Sequence, residues 1–248
     1  MFAPRLAAGV ILLTACAGVT RAEVSATVTA TSDYDFRGIT QTAQDPALQI
    51  GLDWSAANGV YAGLWASNVD FGTDKTGGPN LASDIEVDLL FGYGGSFSEN
   101  FGYDVGVTYY KYLPSDDDID YYEVHGGLNY SILSTSLWYA PDYINTGDSA
   151  WYASATVASD FGFWGLGWEA HAGYSFGDYF SDDPGGLTEY YDWSLGLTRS
   201  FGRFDCSLKY VDGSDLKEQD NTGTPPDANS SAPRAIFSIA ITFPKPEA

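Results

Sequence analysis

The sequence has no apolar run that approaches the roughly 20 residues needed by a membrane-spanning helix. The apolar stretch Leu6–Leu13 near the N-terminus is too short to cross a bilayer. The sequence therefore argues against a helical membrane protein.

Basic residues and cysteines are also scarce. There are 11 Lys and Arg against 33 Asp and Glu, which gives a net charge of −22, and there are only two cysteines, Cys16 and Cys206. Such acidity argues against nucleic acid as a partner, because the phosphates would be repelled. It favours neutral or cationic partners and divalent ions. If the N-terminal segment is removed, Cys206 alone remains and no intrachain disulfide can form.

The N-terminus has the features of a secretory signal. Arg5 supplies the positive charge, Leu6–Leu13 the apolar region, and Thr20–Ala22 the small residues before a cleavage site. We therefore expect residues 1–22 to be a signal peptide and the mature chain to be exported. Leu13–Cys16 resembles a lipobox, however, and leaves open a cut that would place a lipidated Cys16 at the mature N-terminus.

Aromatic residues are abundant, at 16% of the chain, and they recur in segments with a period of two. In Asp84–Tyr93 the residues that point one way are apolar, while Glu86, Asp88 and Gly92 point the other way. A β-strand places alternate side chains on opposite faces, whereas a helix would scatter the acids among the apolar residues. The segment therefore predicts a strand with one apolar and one polar face.

Twelve such segments can be recognised, and a tilted strand that crosses a membrane needs about 9–11 residues. They are Val24–Ser32, Leu48–Trp54, Val60–Asn68, Asp84–Tyr93, Phe101–Tyr109, Tyr122–Asn129, Leu133–Ala140, Ala150–Ser159, Leu166–Ser175, Tyr191–Thr198, Phe204–Tyr210 and Ala235–Phe243.

The connections between these segments alternate between short and long, with Asn58-Gly59 suited to a tight hairpin turn. This order predicts an all-β protein, an antiparallel transmembrane β-barrel over residues 23–243 with short periplasmic turns and longer extracellular loops, followed by a periplasmic tail at 244–248. A periplasmic β-sandwich is the alternative, although outward aromatics on so many strands are not typical of it. Barrels of about eight strands are filled by their own side chains, whereas barrels of about sixteen to eighteen strands enclose an aqueous channel. A barrel of twelve strands is intermediate, so we expect a narrow or partly plugged lumen.

Three stretches resemble the TorF family of porin-like outer-membrane proteins: Ser32–Thr42 followed by Pro46–Gln49, then Gly59–Val69, and then Asp84–Tyr93. The resemblance is most specific in the first hundred residues and extends in strand pattern to Phe243. It implies a barrel in the bacterial outer membrane, surrounded by outer-membrane lipid, and it implies little about the solute.

The polar phase of the strands gives a set of candidate lumen-lining residues. They are Asp53, Glu86, Asp88, Asp104, Glu123, His125, Glu169, His171, Asp192, Asp205, Lys209 and, if the first strand extends, Arg37. One interpretation is the wall of a cation-favouring channel, and the other is solvated groups inside a plugged barrel. Arg37 would either narrow the pore or act as a clasp that closes the barrel seam or anchors the first loop.

An outer loop carries Asp116, Asp118 and Asp120 at the opening spacing of a calcium-binding loop. Tyr121 and Gly127 stand where such a loop needs its Gly and its bidentate Glu, so the segment is not an EF-hand. The three aspartates remain weak candidates for divalent cations at the outer loops, against a plain solvated loop.

Three functions are compatible with these patterns. The first is a channel for passive diffusion of small hydrophilic solutes, neutral or cationic, and the second is a non-conducting structural or surface-binding barrel. The third, a barrel enzyme, has little support, because no Gly-x-Ser-x-Gly, His-Glu-x-x-His or phosphate-binding loop is present. No cofactor is expected.

Overall fold

Twelve antiparallel strands form one closed barrel in the computed structural model, which describes residues 22–72, 83–114, 118–181, 188–214 and 230–244. The barrel strands are β1 (Glu23–Thr31), β4 (Ala47–Ser55), β5 (Val60–Asn68), β6 (Ile85–Ser98), β7 (Phe101–Leu113), β8 (Tyr121–Tyr130), β9 (Leu133–Ala140), β10 (Ala150–Asp160), β11 (Leu166–Phe176), β12 (Tyr190–Phe201), β13 (Phe204–Ser214) and β14 (Arg234–Phe243). The predicted all-β, twelve-stranded antiparallel barrel is confirmed.

The barrel closes where the first and last strands meet. β1 pairs with β4 on one side and with β14 on the other, with Ala26 opposite Phe243 and Thr31 opposite Ser238. All other barrel strands pair with their neighbours along the chain. Closure leaves no sheet edge, so every strand has a backbone partner on both sides.

The two ends of the barrel differ, as the alternation of connection lengths predicts. At one end, called the turn end, tight hairpins join the strands, and Gly59 adopts a φ of 93° that favours glycine in such a turn. The other end, called the loop end, carries the longer connections. One of these, between β1 and β4, contains a small hairpin of β2 (Asp35–Phe36) and β3 (Ile39–Thr40).

Alternation along the strands separates an apolar outside from a polar inside. On β6, Leu89 is 52% exposed on the outer face, whereas its neighbour Asp88 is 8% exposed. β6 is longer than predicted, because it continues past Tyr93 to Ser98 through an irregularity between Ser96 and Ser98. The turn between β6 and β7 is therefore shorter than the gap between the two predicted segments.

An aromatic cluster fills the interior at the loop end. Its buried members come from the ends of several strands and from two loops: Tyr110, Tyr112, Ile119, Tyr121, Ala140, Ala150, Phe180 and Tyr190. Two short 3-10 turns, Tyr143–Asn145 and Asp178–Phe180, pack into this cluster. In the part of the chain that is described, no helix is long and apolar enough to cross a membrane.

Several predictions fall outside the described residues. These are the signal peptide apart from Ala22, the lipobox with Cys16, the candidate ligand Asp116, and the tail beyond Pro244.

Candidate functional site

The inner face of the barrel carries most of its buried acidic groups. The structure places eight of the candidate carboxylates on this face: Asp53, Glu86, Asp88, Asp104, Glu123, Glu169, Asp192 and Asp205. His125, His171 and Lys209 lie on the same face. Glu86 and Glu123 are among the largest fully buried side chains, so the loop end of the lumen is closely packed.

Residues 32–46, called loop 1, fold into the barrel instead of extending away from it. Asp33 and Thr40 are buried, and the Thr40 hydroxyl donates to Asp33 Oδ1 at 2.5 Å. The ring of Tyr34 packs edge-on against Trp65 of β5, with centroids 5.2 Å apart. Loop 1 is therefore part of the packed interior.

Arg37, at the tip of the β2–β3 hairpin, reaches the opposite wall of the barrel. Its guanidinium donates two hydrogen bonds to Glu123 of β8, at 2.9 Å to Oε1 and 2.6 Å to Oε2. It also lies 4.3 Å from the ring centroid of Tyr152 on β10. Since β8 to β10 lie half-way around the strand order from β1, loop 1 spans the lumen.

The Arg37–Glu123 clasp is almost completely shielded from solvent, with side-chain exposures of 8% and 1%. Burial disfavours the charged guanidinium, but the Glu123 carboxylate, with Tyr110 and Tyr143, outweighs this and raises the pKa of Arg37 well above its usual value. Arg37 does not extend the first strand, which ends at Thr31. It stands in a turn with a φ of 52°.

Arg234, at the start of β14, is a further base that the sequence analysis missed. It donates through Nε to Asp33, through Nη2 to Asp35 Oδ1 at 2.5 Å, and through Nη1 to the Gly38 carbonyl at 3.2 Å. Burial raises the pKa of Asp35 although Arg234 opposes this. Arg234 thus fixes the base of loop 1 beside the seam between β1 and β14. Arg234 lies two residues before Ile236 and four before Ser238, so the period of two in the sequence could have placed it on the inner face.

His125 belongs to a cluster on one side of the wall. Its Nε2 lies 2.6 Å from Asp104 Oδ1, and the Tyr61 hydroxyl donates to the same oxygen at 3.0 Å. The imidazole stacks on Trp138, with centroids 4.2 Å apart. A Cβ at Gly92 would lie 2.3 Å from the Tyr61 hydroxyl, so the glycine lets the tyrosine lie flat on the wall.

His171 belongs to a similar cluster on β10 to β12, next to the first along the wall. Its Nε2 lies 2.9 Å from the Tyr152 hydroxyl and 3.3 Å from Asp192 Oδ1, while Nδ1 lies 2.8 Å from the Thr156 hydroxyl. Each histidine is thus held by an aspartate and a tyrosine, which fixes its orientation.

Lys209 of β13 pairs with Glu169 of β11, with Nζ 3.2 Å from Oε1. Within the described residues, four of the eight lumen carboxylates then have no ion-pair partner: Asp53, Glu86, Asp88 and Asp205. Arg234 adds a third inward-facing base to the two candidates from the sequence, Lys209 and Arg37. The surplus of acid nevertheless persists.

The outer-loop aspartates are used within the protein. Asp120 binds Lys111 and accepts from the Tyr112 amide at 3.1 Å, and Asp118 Oδ1 accepts from the Asp120 amide at 3.2 Å. Among the described residues, no three His, Cys, Asp or Glu side chains form a group that could hold a metal ion.

The closed barrel, apolar outside and acidic inside, has the fold of porins. A NanC porin structure matches with a TM-score of 0.55 at 10% identity, covering 89% of this chain and 99% of that one. A KdgM porin matches with a TM-score of 0.52 at 9% identity, covering 88% and 98%. The KdgM porin in complex with disordered oligogalacturonate matches with a TM-score of 0.51 at 9% identity, covering 89% and 97%.

The family is defined by sequence. Residues 15–243 match the family described as "Bacterial protein of unknown function (Gcw_chp)", and the chain belongs to that family. This match does not carry the TorF name. No curated protein matches the sequence.

Proposed function

We propose that this protein is a bacterial outer-membrane channel for passive diffusion of small hydrophilic solutes, neutral or cationic. The observation that carries the proposal is the closed twelve-stranded barrel with an apolar outer surface and an acidic polar lumen. Its likeness in fold to porins and the resemblance of its first hundred residues to the TorF family are consistent with this function, and neither suggests an enzyme.

The outer surface supports a membrane location. Large apolar side chains are exposed on the outer face of most barrel strands, such as Leu52, Leu128 and Leu195. Exposed aromatics lie near both ends, such as Trp54 near the turn end and Tyr191 near the loop end. Such aromatic girdles are typical of the two membrane interfaces of outer-membrane barrels. Export by the predicted N-terminal signal is part of this proposal.

The charge of the lumen favours some solutes over others. Oligogalacturonate, which is bound in one KdgM structure, is a polyanion. The unpaired carboxylates of this lumen would repel a polyanion, because a low-dielectric wall focuses their field into the water column. The solutes of this protein are therefore neutral or cationic.

Loop 1 favours a second candidate, a non-conducting barrel. It crosses the lumen, and the aromatic cluster beside it leaves Tyr190 and Phe180 almost fully buried. A channel must pass between loop 1 and the wall, so conductance should be small. A barrel sealed at this level would instead have a structural or surface-binding role.

Planar bilayer recording distinguishes the two candidates. Purified protein should give small, steady conductance steps, and Arg37→Ala should enlarge them, because loop 1 loses its hold on the opposite wall. Lys111→Ala, which removes a partly exposed ion pair outside the lumen, is the control and should conduct as the unaltered protein does. Absence of steps from both the unaltered protein and Arg37→Ala would reject the channel.

A further inference from the structure

The inward-facing bases among the described residues are all held in ion pairs. Arg37 is bound to Glu123, Lys209 to Glu169, and Arg234 to Asp33 and Asp35. None of these ion pairs includes a residue of β6. Glu86 and Asp88 of β6 have no ion-pair partner among the described residues, although they are 2% and 8% exposed.

The two β6 carboxylates lie together beneath loop 1. They face the same side of one strand two residues apart, so the two carboxylates are neighbours on the inner face. The Tyr34 hydroxyl of loop 1 donates to Glu86 Oε1 at 3.3 Å. Glu86 Oε2 and Asp88 Oδ1 remain buried without a hydrogen-bond partner in the described structure. Each of these neighbouring carboxylates therefore has one buried oxygen that is free to act as a ligand.

Adjacent buried carboxylates repel each other, and buried charges in proteins are paired or coordinate metals. Calcium takes six to eight oxygen ligands from carboxylates, carbonyls and water, and its affinity rises with the number of ligand charges. A divalent cation would satisfy both free oxygens and cancel both charges. A monovalent cation would cancel only one.

We infer that Glu86 and Asp88 form a low-affinity site for a divalent metal cation inside the lumen. The inference rests on the proposed channel, whose solute class it narrows. With only two carboxylates the site is not a cage for a resident metal, and it resembles the weak sites through which ions pass, where binding must allow release. Binding at about 10⁻³ M is expected, as in open extracellular calcium sites.

Asp53 marks the approach to this site from the turn end. It lies on β4 opposite Gly63 of β5, which in turn lies opposite Leu90 of β6. Asp88 is the next inward-facing residue along β6. Asp53 Oδ1 is also buried without a hydrogen-bond partner among the described residues. A cation entering along β4 to β6 would thus meet Asp53 before the pair.

The test combines a binding and a current measurement, with CaCl2 as the probe. Calorimetric titration of the folded protein in detergent should show binding that weakens about tenfold or more in Glu86→Gln/Asp88→Asn, since affinity follows ligand charge. Glu99→Gln, which alters an exposed carboxylate in the turn between β6 and β7, should bind as the unaltered protein does. In bilayers, millimolar CaCl2 should reduce the potassium current of the unaltered protein and not that of the double variant.

The two proposals can fail separately. Calcium binding that is lost in the double variant, together with no conductance in any protein, would leave the site intact and reject the channel. Identical calcium titrations for the unaltered and doubly substituted proteins would overturn the site, as expected of carboxylates that share a proton. Different mobility of heated and unheated samples in sodium dodecyl sulfate verifies that each variant is folded.

Discussion

Two buried arginines in this barrel, Arg37 and Arg234, each hold two distant parts of the chain together. Arg37 offers Glu123 two parallel N–H donors, a geometry that a planar guanidinium provides and an ammonium group does not. Replacing both partners of such a pair by apolar groups can be neutral, but removing one leaves the other charged and buried. The clasp therefore contributes more to the position of loop 1 than to net stability.

Arg37→Ala should be costly, because it leaves Glu123 buried without its partner. It should lower the free energy of unfolding by about 3–5 kcal/mol, the usual cost of breaking a buried ion pair. Lys111→Ala breaks a pair whose lysine is 42% exposed, and it should cost about 1 kcal/mol or less. Urea titration of folding in detergent micelles measures both. Equal midpoints for the two variants would show that the clasp is not buried in solution.

At the scale of the strand, alternation decides which substitutions are tolerated. Each strand presents one row of side chains outward and the other inward, so neighbouring residues have opposite requirements. The inner row also uses glycines as space: a Cβ at Gly173 would lie 2.1 Å from the Tyr152 hydroxyl. Larger side chains are therefore poorly tolerated at the inward-facing glycines, and charged side chains are poorly tolerated on the outer face.

Leu89→Arg tests the outer row of β6. It should destabilise the barrel in lipid by about 2–4 kcal/mol, because it places a charge on the lipid face near the middle of the strand. Asp88→Asn, one residue away on the inner row, should assemble normally. The measurement is the yield of folded protein after dilution into lipid vesicles. Normal assembly of Leu89→Arg with failure of Asp88→Asn would reverse the assignment of the two faces.

At the scale of the whole molecule, closure of the sheet should confer resistance to detergent. Because every strand is paired on both sides, no edge is available at which unfolding can begin. Unheated protein in sodium dodecyl sulfate should therefore migrate differently from boiled protein, and cell fractionation should recover it with the outer membrane. Identical mobility together with recovery in the soluble periplasm would reject the membrane assignment.

The alternation of polar and apolar residues was sufficient to predict the strands, but it did not predict the path of loop 1 into the barrel. Alternation reports which face of a strand meets water, and this places Glu86 and Asp88 inside without knowledge of their neighbours. The path of loop 1 depends instead on contacts remote in sequence, since Arg37 and Glu123 are 86 residues apart. Arg234 was missed because it follows a long loop and begins the last strand, where the pattern has only just started.

The contact of Arg234 with Asp33 has a consequence for the timing of biogenesis. The two residues are 201 positions apart, and the arginine lies on the last strand. Loop 1 is made early, yet its base cannot be fixed until the final strand has been inserted beside β1. Loop 1 leaves the ribosome before β14, yet it is among the last parts of the barrel to reach its final position. The lumen therefore takes its final form only when β14 pairs with β1.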